Sequence, residues 1–308
     1  MKYLSLLLIF ILVSSCESFF DTVIEIDPPG HTPQLAIHAH GGNTNGGEMR
    51  VMVTKTFGIL DNVIWGTLDS AEVSLTSSSG QIYTFQNIDD GDVIFDTLVL
   101  TNDTLILFEF NNAFNLYSSD FIPETGKIYT LSVSYPGLPA VRAQQTFPGE
   151  VVPDSAIYVK DAGLDQFGDR VSAIDIYFQD PPGEENFYKV RLLNNAPFGG
   201  NYQYIESSEP GSLVSDQKFI ILSDKIFDGE QKRFRITFYN YNDETDPNKY
   251  VVRWRSISPE TYRFNEAMTK YFDSVDNPFL TPTQIYSNIE NGVGVFSLYH
   301  ETLIQTRE

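Results

Sequence analysis

The stretch 71–85, AEVSLTSSSGQIYTF, carries the pattern on which the fold prediction depends. Val73 and Leu75 alternate with Glu72 and Ser74, which is the two-residue period of a β-strand with one buried face. The small and polar residues at 77–80 then predict a turn, and residues 81–85 predict a returning strand. We therefore expect this stretch to form a β-hairpin.

Similar short strands are predicted along the chain from residue 34 onward. They recur at a spacing of about ten residues, which together with their alternation is typical of antiparallel sandwiches. The other predicted strands are 35–40, 49–57, 93–100, 104–110, 127–135, 141–147, 155–160, 171–178, 187–193, 219–222, 233–241, 250–256 and 293–299. The sequence therefore predicts a mainly β fold.

The segment 147–153, FPGEVVP, is the predicted boundary between two consecutive antiparallel β-sandwich (immunoglobulin-like) domains. The N-terminal β-sandwich domain is expected over 34–149 and the C-terminal β-rich domain over 150–308. The second domain also contains one short helix near residues 258–273, because Ser258 suits the N-cap and Pro259 suits the first turn. Asn277 and Pro278 predict where this helix ends.

The N-terminal residues predict export and a lipid anchor. Lys2, an apolar run over 4–13 and two small serines are typical of a signal peptide over residues 1–15. Cys16 is the only cysteine and follows directly, so that 13–16 (VSSC) resembles a bacterial lipobox whose cysteine is acylated. An ordinary signal peptide or an anchor helix is the alternative, but a spanning helix needs roughly 20 apolar residues. Residues 16–33 are predicted to be an acylated acidic tether.

Composition limits the classes of partner. The chain has 308 residues, with 41 acidic against 20 basic side chains and a formal net charge of −21. Such a surface repels nucleic acids and anionic lipid headgroups. Because the one cysteine is predicted to carry lipid, no disulfide is expected, and stability has to come from the core. No cofactor is predicted.

The sequence singles out no catalytic residue and no metal site. His38 and His40 share one face of a predicted strand, but zinc needs further ligands and none is suitably spaced. A solvent-facing pair is therefore the favoured interpretation. The chain contains neither a Gly-x-Ser-x-Gly elbow nor a phosphate-binding loop motif.

The loop 194–212, NNAPFGGNYQYIESSEPGS, is the predicted ligand-binding segment. It is longer than a common hairpin loop and carries Phe198, Tyr202 and Tyr204 among glycine residues. Exposed aromatic rings suit contact with sugars or proteins. In the alternative interpretation, which is weighted equally, these rings fold down onto the second domain.

Six sites in the chain have Asp, then Ser or Thr, then an aliphatic residue or alanine. This pattern is similar to the O-glycosylation acceptor motif of exported proteins of the Bacteroidota. Thr97, Thr104 and Ser155 are the predicted acceptors. Alternatively, Asp-Thr and Asp-Ser are favourable turn exits before strands.

Three parts of the chain resemble one family of lipoproteins. They are the start (Cys16-Glu17, VIEID at 23–27 and PQLAI at 33–37), GKIYTLSV at 126–133, and the end (SPETY at 258–262, NPF at 277–279 and SNIENGVGVF at 287–296). Through them the chain resembles domain-of-unknown-function family 4249, outer-membrane lipoproteins of the Bacteroidota. The resemblance implies a TonB-dependent transporter as companion and carries over no catalytic residue. We interpret Gly292 and Gly294 of the last motif as structural, because glycine permits a tight start of a strand or a bulge.

The first functional hypothesis is a non-enzymatic binding or accessory partner of a TonB-dependent transporter in nutrient uptake. The protein is expected to be held at the outer membrane by the lipid on Cys16 and not to bind nucleic acid. A surface adhesin or structural lipoprotein is the alternative. A hydrolase of surface polymers is the third hypothesis.

Overall fold

The computed structural model describes residues 30–58, 61, 68–88, 94–99, 104–109, 116–165, 167–194, 201–215, 219–239, 246–275 and 283–308. These residues form nineteen strands and one α-helix, α1 (Pro259–Val275), together with short 3-10 turns. The predicted mainly β, sandwich-like fold with one helix is therefore confirmed. No helix within this part of the chain has the length and apolarity needed to cross a bilayer.

The strands are short and follow one another closely. Those of the first half are β1 (Leu35–Gly42), β2 (Glu48–Lys55), β3 (Glu72–Ser77), β4 (Ile82–Thr84), β5 (Gln86–Ile88), β6 (Ile94–Val99), β7 (Thr104–Glu109), β8 (Leu116–Asp120), β9 (Ile128–Tyr135) and β10 (Leu138–Thr146). Those of the second half are β11 (Ser155–Leu164), β12 (Arg170–Gln179), β13 (Phe187–Asn194), β14 (Asn201–Tyr202), β15 (Ser212–Ser215), β16 (Phe219–Ser223), β17 (Gln231–Phe238), β18 (Tyr250–Ile257) and β19 (Val293–Gln305).

The chain divides into two compact units. One unit contains residues 1–32 and 57–63, and its described part includes a turn in which the Gly58 N–H donates to Asp61 Oδ2 at 2.6 Å. The other unit contains residues 33–56 and 64–308 and therefore holds all the sheets.

One long sheet organises the second unit. Its ten strands run in the order β15-β16-β13-β18-β19-β1-β2-β8-β5, with β14 paired to β13. Neighbouring strands in this sheet are antiparallel except β1 and β19, which pair in parallel. Two smaller sheets have the orders β10-β9-β3-β4 and β11-β12-β17, and β6 pairs with β7.

Each smaller sheet shares a hydrophobic core with a part of the long sheet. The first core joins β1, β2 and β19 to the sheet that contains β9 and includes Phe121, Tyr129 and Phe296. The second joins β13 and β18 to the sheet that contains β12 and includes Phe178 and Trp254. The result is a sandwich in which one continuous sheet forms a layer of both cores.

The hairpin predicted at 71–85 is confirmed by the pairing of β3 with β4. The two cores lie on either side of the predicted boundary at 149/150, except that Ile289, Phe296 and Leu298 belong to the first core. The long sheet nevertheless contains strands from both sides of that boundary. Independent domains over 34–149 and 150–308 stay a prediction.

Helix α1 begins as the sequence predicts. Ser258 Oγ accepts the N–H of Thr261 at 3.3 Å, which is the bond of an N-cap side chain. The helix packs against β13, β15, β16 and β19 of the long sheet. Its predicted end at Asn277 and Pro278 lies outside the described residues.

The terminal motif joins the last strand to the first. Asn288 bonds the backbone of Phe296 twice, donating from Nδ2 to its oxygen at 2.8 Å and accepting its N–H at Oδ1 at 2.9 Å. Gly294 has φ +117° and pairs with Ile37 of β1. The structural interpretation of this motif therefore agrees with its contacts.

Candidate functional site

The long sheet has one apolar face and one basic face around β13 and β18. Alternate residues of these strands, among them Val190 and Trp254, enter the second core. Since successive side chains of a strand point to opposite faces, the residues between them point away from that core. These residues include Lys189 and Arg191 on β13 and Arg253 and Arg255 on β18, with apolar side chains at the two ends of the row (Phe187, Leu193, Val251 and Ile257).

The strand register places these four cations side by side. Lys189 is paired with Arg255, and Arg191 is paired with Arg253. Directly opposed residues in an antiparallel pair have Cβ atoms roughly 5 Å apart, and like charges in such positions are destabilising. These opposed like charges are therefore expected to lower the stability of the folded protein.

Glu301 of β19 is the carboxylate that pairs with two of the cations. Its Oε2 atom accepts hydrogen bonds from the Nε atoms of Arg253 and Arg255, each at 2.5 Å, and its side chain is 2% exposed. Thr44 Oγ1 donates to its other oxygen at 2.9 Å. Burial alone would raise the pKa of Glu301, but the charges of Arg255 and Arg253 lower this pKa to about 2.

Lys189 and Arg191 have no ion-pair partner among the residues that the structure describes. Lys189 Nζ donates to Asn265 Oδ1 at 3.0 Å and lies 3.8 Å from the centre of the Phe219 ring. The guanidinium carbon of Arg191 lies 4.5 Å from the centre of the Tyr202 ring, and its buried Nε has no hydrogen-bond partner in this part of the chain. Burial and the three neighbouring arginines hold the pKa of Lys189 well below its usual range.

A cavity of about 310 Å³ lies on the basic face, between the sheet and α1. Its volume is at the lower end of the range for small-molecule sites, about 300–1,000 Å³. The cations of β13 and β18 form one wall. The other lining residues include His38 and His40 of β1, Val295, Ser297 and Tyr299 of β19, and Thr261, Phe264 and Asn265 of α1.

His38 and His40 lie on the cavity side of β1, in contact with each other. Their ring centres are 4.2 Å apart with an interplanar angle of 81°. Burial and the charge of Lys189 lower the pKa of His38 to about 4, and burial, His38 and the nearby cations hold the pKa of His40 well below its usual range. Both rings are therefore neutral near pH 7. The expected same-face pair is found, but it is half-buried against a cavity instead of facing bulk solvent.

Arg50 and Glu48 of β2 complete the polar lining as a neutral pair. Arg50 donates to both carboxylate oxygens of Glu48, from Nε at 2.9 Å and from a terminal nitrogen at 2.8 Å. Burial alone would raise the pKa of Glu48, and the hydrogen bonds from Arg50 and Ser118 lower it below its ordinary value.

The charges of this site do not balance. Four basic side chains lie side by side, and the carboxylate of Glu301 pairs with only two of them, whereas the chain as a whole carries a net charge of −21. Positive groups brought together at low solvent exposure are stabilised by an anion that bonds to them. The geometry therefore suits the binding of an anionic molecule of small size.

The predicted aromatic residues have different positions. The Tyr202 hydroxyl accepts a hydrogen bond from Arg253 Nη1 at 2.8 Å, so Tyr202 borders the cationic cluster. Tyr204 is 56% exposed and is not a lining residue of the cavity. Phe198 lies outside the described residues. A joint binding role for the three rings stays a prediction.

The residues that are predicted to be lipidated or glycosylated are distant in sequence from the cationic cluster of β13 and β18. Cys16 lies outside the described residues. Thr97 is in β6 and Thr104 is in β7, and Ser155 is the half-buried first residue of β11. Lipidation and glycosylation stay predictions.

The cationic cluster is the part of the site that sequence reasoning missed. The signal is present, since KVR at 189–191 and RWR at 253–255 place charges at alternate positions of otherwise apolar strands. An isolated strand with this pattern is read as having one solvated face. The pairing of the two strands, which are far apart in sequence, turns two ordinary polar faces into one cluster.

A separate acidic cluster contains Asp180, Asp224 and Asp228, whose oxygen atoms lie within 4.8 Å of one another. Burial raises the pKa of Asp224. Each carboxylate accepts a backbone N–H, and the donors are Gly229 to Asp180 at 2.9 Å, Asn186 to Asp224 at 2.7 Å and Gly183 to Asp228 at 2.7 Å. These bonds fix two turns to each other.

The sequence is similar to a known protein family. The model of a family described as "Domain of unknown function (DUF4249)" matches residues 21–305. A search of curated proteins gives no significant match. The match covers both cores, α1 and every lining residue of the cavity.

Proposed function

The chain belongs to the DUF4249 family, a family without a defined activity, and from this premise we propose that its cavity binds a small anionic ligand without covalent chemistry. The observation that carries the proposal is the cluster of Lys189, Arg191, Arg253 and Arg255 around the single carboxylate of Glu301. A hydrogen bond between a charged donor and a charged acceptor contributes about 1.5–3 kcal/mol. Several such bonds give useful affinity for a molecule that fits the cavity.

The carboxylates near the cavity support binding over hydrolysis. A general acid or base works best when its pKa lies near the working pH. Glu301 has a pKa of about 2 and is held between two arginines, and Glu48 is held by Arg50. Neither group is placed to exchange a proton with a substrate at neutral pH.

The setting of this binding activity is also part of the proposal. We propose that the protein is an outer-membrane lipoprotein, anchored through acylated Cys16, that presents its ligand to a TonB-dependent transporter. The sequence at 13–16 and the family resemblance support this setting. The cavity supports this role over that of an adhesin, because a concave site lined by cations suits a small ligand.

We expect Arg191→Gln to weaken the binding of inorganic phosphate and succinate by about 10- to 100-fold, because one charged hydrogen-bond donor is lost. Isothermal titration calorimetry of the full-length protein in detergent at low ionic strength measures the dissociation constants. Arg170→Gln is the matched control, since the side chain of Arg170 is 78% exposed and outside the cavity. Equal affinities of unaltered protein and Arg191→Gln, or no heat with either anion, would contradict the proposal.

We expect Cys16→Ser to move the protein from the outer-membrane fraction to the soluble fraction, because acyl chains supply the membrane affinity. Fractionation followed by immunoblotting measures this. Crosslinked purification of the unaltered protein from native outer membrane, with mass spectrometry of the partners, should recover a transporter barrel at near-equal amount. Recovery of the lipoprotein alone would refute the accessory role and leave the cavity's ligand as a separate question.

A further inference from the structure

The ring nitrogens of His38 and His40 are uncharged polar groups of the cavity for which the described part of the chain offers no hydrogen-bond partner. Neither ring forms a hydrogen bond with any residue that the structure describes. Both residues are half-buried and line the cavity. A polar atom at such a place needs a partner from the ligand or from water.

The groups that face the two histidines explain why they stay neutral. Lys189, Arg191 and Arg255 from β13 and β18 are cations, and they disfavour further positive charge on β1. The cavity residues of α1 are Thr261, Phe264 and Asn265, which carry no charge. On β2, Glu48 is bound to Arg50, and on β19 Glu301 is bound to Arg253 and Arg255.

The cavity therefore has two chemically different walls. One wall offers charged donors from Lys189, Arg191 and Arg255. The other offers neutral imidazoles, and each neutral ring presents one N–H donor and one acceptor nitrogen. A hydroxyl group is the natural match to such a ring, because it also donates one hydrogen bond and accepts others.

We propose that the ligand is a small hydroxylated molecule with two or more negative charges, whose anionic groups contact Lys189, Arg191 and Arg255 and whose hydroxyls contact His38 and His40. This proposal rests on the proposed anion-binding function and adds to it the hydroxyl groups of the ligand. A carboxylate or a phosphate can supply the charge. The hydroxyls distinguish this ligand from a simple inorganic or aliphatic anion.

The number of charges follows from the cations that lack a partner. Lys189 and Arg191 have no carboxylate among the described residues, and Arg253 and Arg255 share one. A ligand with two negative charges can pair with both Lys189 and Arg191, and its charge favours the protonated form of Lys189, whose pKa is otherwise held low. The cavity volume of about 310 Å³ limits the ligand to a small molecule.

Two pairs of probes with matched charge test the hydroxyl requirement by calorimetry on the full-length protein. Succinate and tartrate are dicarboxylates that differ by two hydroxyls, and inorganic phosphate and glucose 6-phosphate differ by a sugar. We expect tartrate or glucose 6-phosphate to bind at least about tenfold more tightly than its partner, because unpaired polar groups in the site penalise the simpler anion. The tighter binder of tartrate and glucose 6-phosphate identifies carboxylate or phosphate as the source of charge.

His38→Phe and His40→Phe test whether the imidazole rings cause the preference for the hydroxylated anion. Phenylalanine keeps an aromatic ring and removes both nitrogens. In these variants we expect the ratio of the two affinities within a pair to fall to about one. His300→Phe is the matched control, since His300 lies on β19 but packs against Phe147, on the other face of the sheet. Its ratio should equal that of the unaltered protein, and thermal melting confirms that each variant is folded.

The outcomes separate the two proposals. If the anions bind but both pairs show equal affinities, the hydroxyl inference is wrong and the anion-binding function stands. If the ratio survives in both histidine variants, the assignment of the hydroxyl contacts to β1 is wrong. If none of the four anions binds, the anion-binding function itself fails.

Discussion

Replacing Glu301 by glutamine is expected to lower the free energy of unfolding by about 3–5 kcal/mol, because it removes the charge that buried Arg253 and half-buried Arg255 share. Arg253 is 3% exposed and Glu301 has a side-chain exposure of 2%, so water cannot take over the lost ion pair. Glutamine keeps the size of the side chain, and the loss is therefore electrostatic. Urea denaturation followed by tryptophan fluorescence measures the change, since Trp254 lies beside Arg253 in β18.

Glu266→Gln is the matched control for this prediction. Glu266 forms an ion pair with Lys270 at 2.9 Å on the exposed side of α1, in the i,i+4 arrangement. Such surface pairs contribute about 0.3–0.5 kcal/mol, so we expect a change within about 0.5 kcal/mol. A Glu301→Gln variant as stable as the control would show that the cations are not held together by this carboxylate.

The same ion pair predicts a dependence of stability on pH. The pKa of Glu301 falls from an ordinary value of 4.5 in the unfolded chain to about 2 in the folded protein. A group with a lowered folded pKa contributes its full stabilisation above the unfolded value, and this contribution is lost as the pH falls toward the folded value. Glu301 therefore stabilises the protein above about pH 4.5 and progressively less toward about pH 2, and Glu301→Gln lacks this part of the acid sensitivity.

Local features of the fold could be predicted from the sequence because their causes are local. The alternation at 71–85 and the turn at 77–80 determine the β3–β4 hairpin within fifteen residues of chain. The N-cap bond of α1 joins Ser258 to Thr261, which are three residues apart. The same-face placement of His38 and His40 follows from the period of a strand.

The site could not be predicted, because it depends on pairing between distant strands. Lys189 and Arg255 become neighbours only through the register of β13 with β18. His38 comes to the same face as these cations only because β1 pairs in parallel with β19, which joins the first strand of the sequence to the last. The net charge of −21 also gives no indication of an anion site. A net charge is a sum over the whole chain and does not reveal a local excess of cations.

The parallel pairing of β1 with β19 can be tested at Gly294. Replacing Gly294 by alanine is expected to lower the free energy of unfolding by about 3 kcal/mol or more, or to prevent folding. Gly294 has φ +117°, a backbone conformation that residues with a side chain rarely adopt. A Cβ atom at this position would also lie 1.9 Å from the backbone oxygen of Ile37, so that β1 and β19 have to move apart.

Gly149→Ala is the control for this variant, because a Cβ atom at Gly149 meets nothing within 4 Å and its φ is not in the left-handed region. We expect the control to unfold at the same urea concentration as the unaltered protein. Because β1 carries His38 and His40 and β19 carries Glu301, separation of these strands also disturbs both walls of the cavity. If Gly294→Ala folds, its affinity for phosphate and succinate should therefore fall together with its stability. A Gly294→Ala protein with unaltered stability would show that β1 and β19 do not pair as described, and the link between the two walls of the cavity would then be lost.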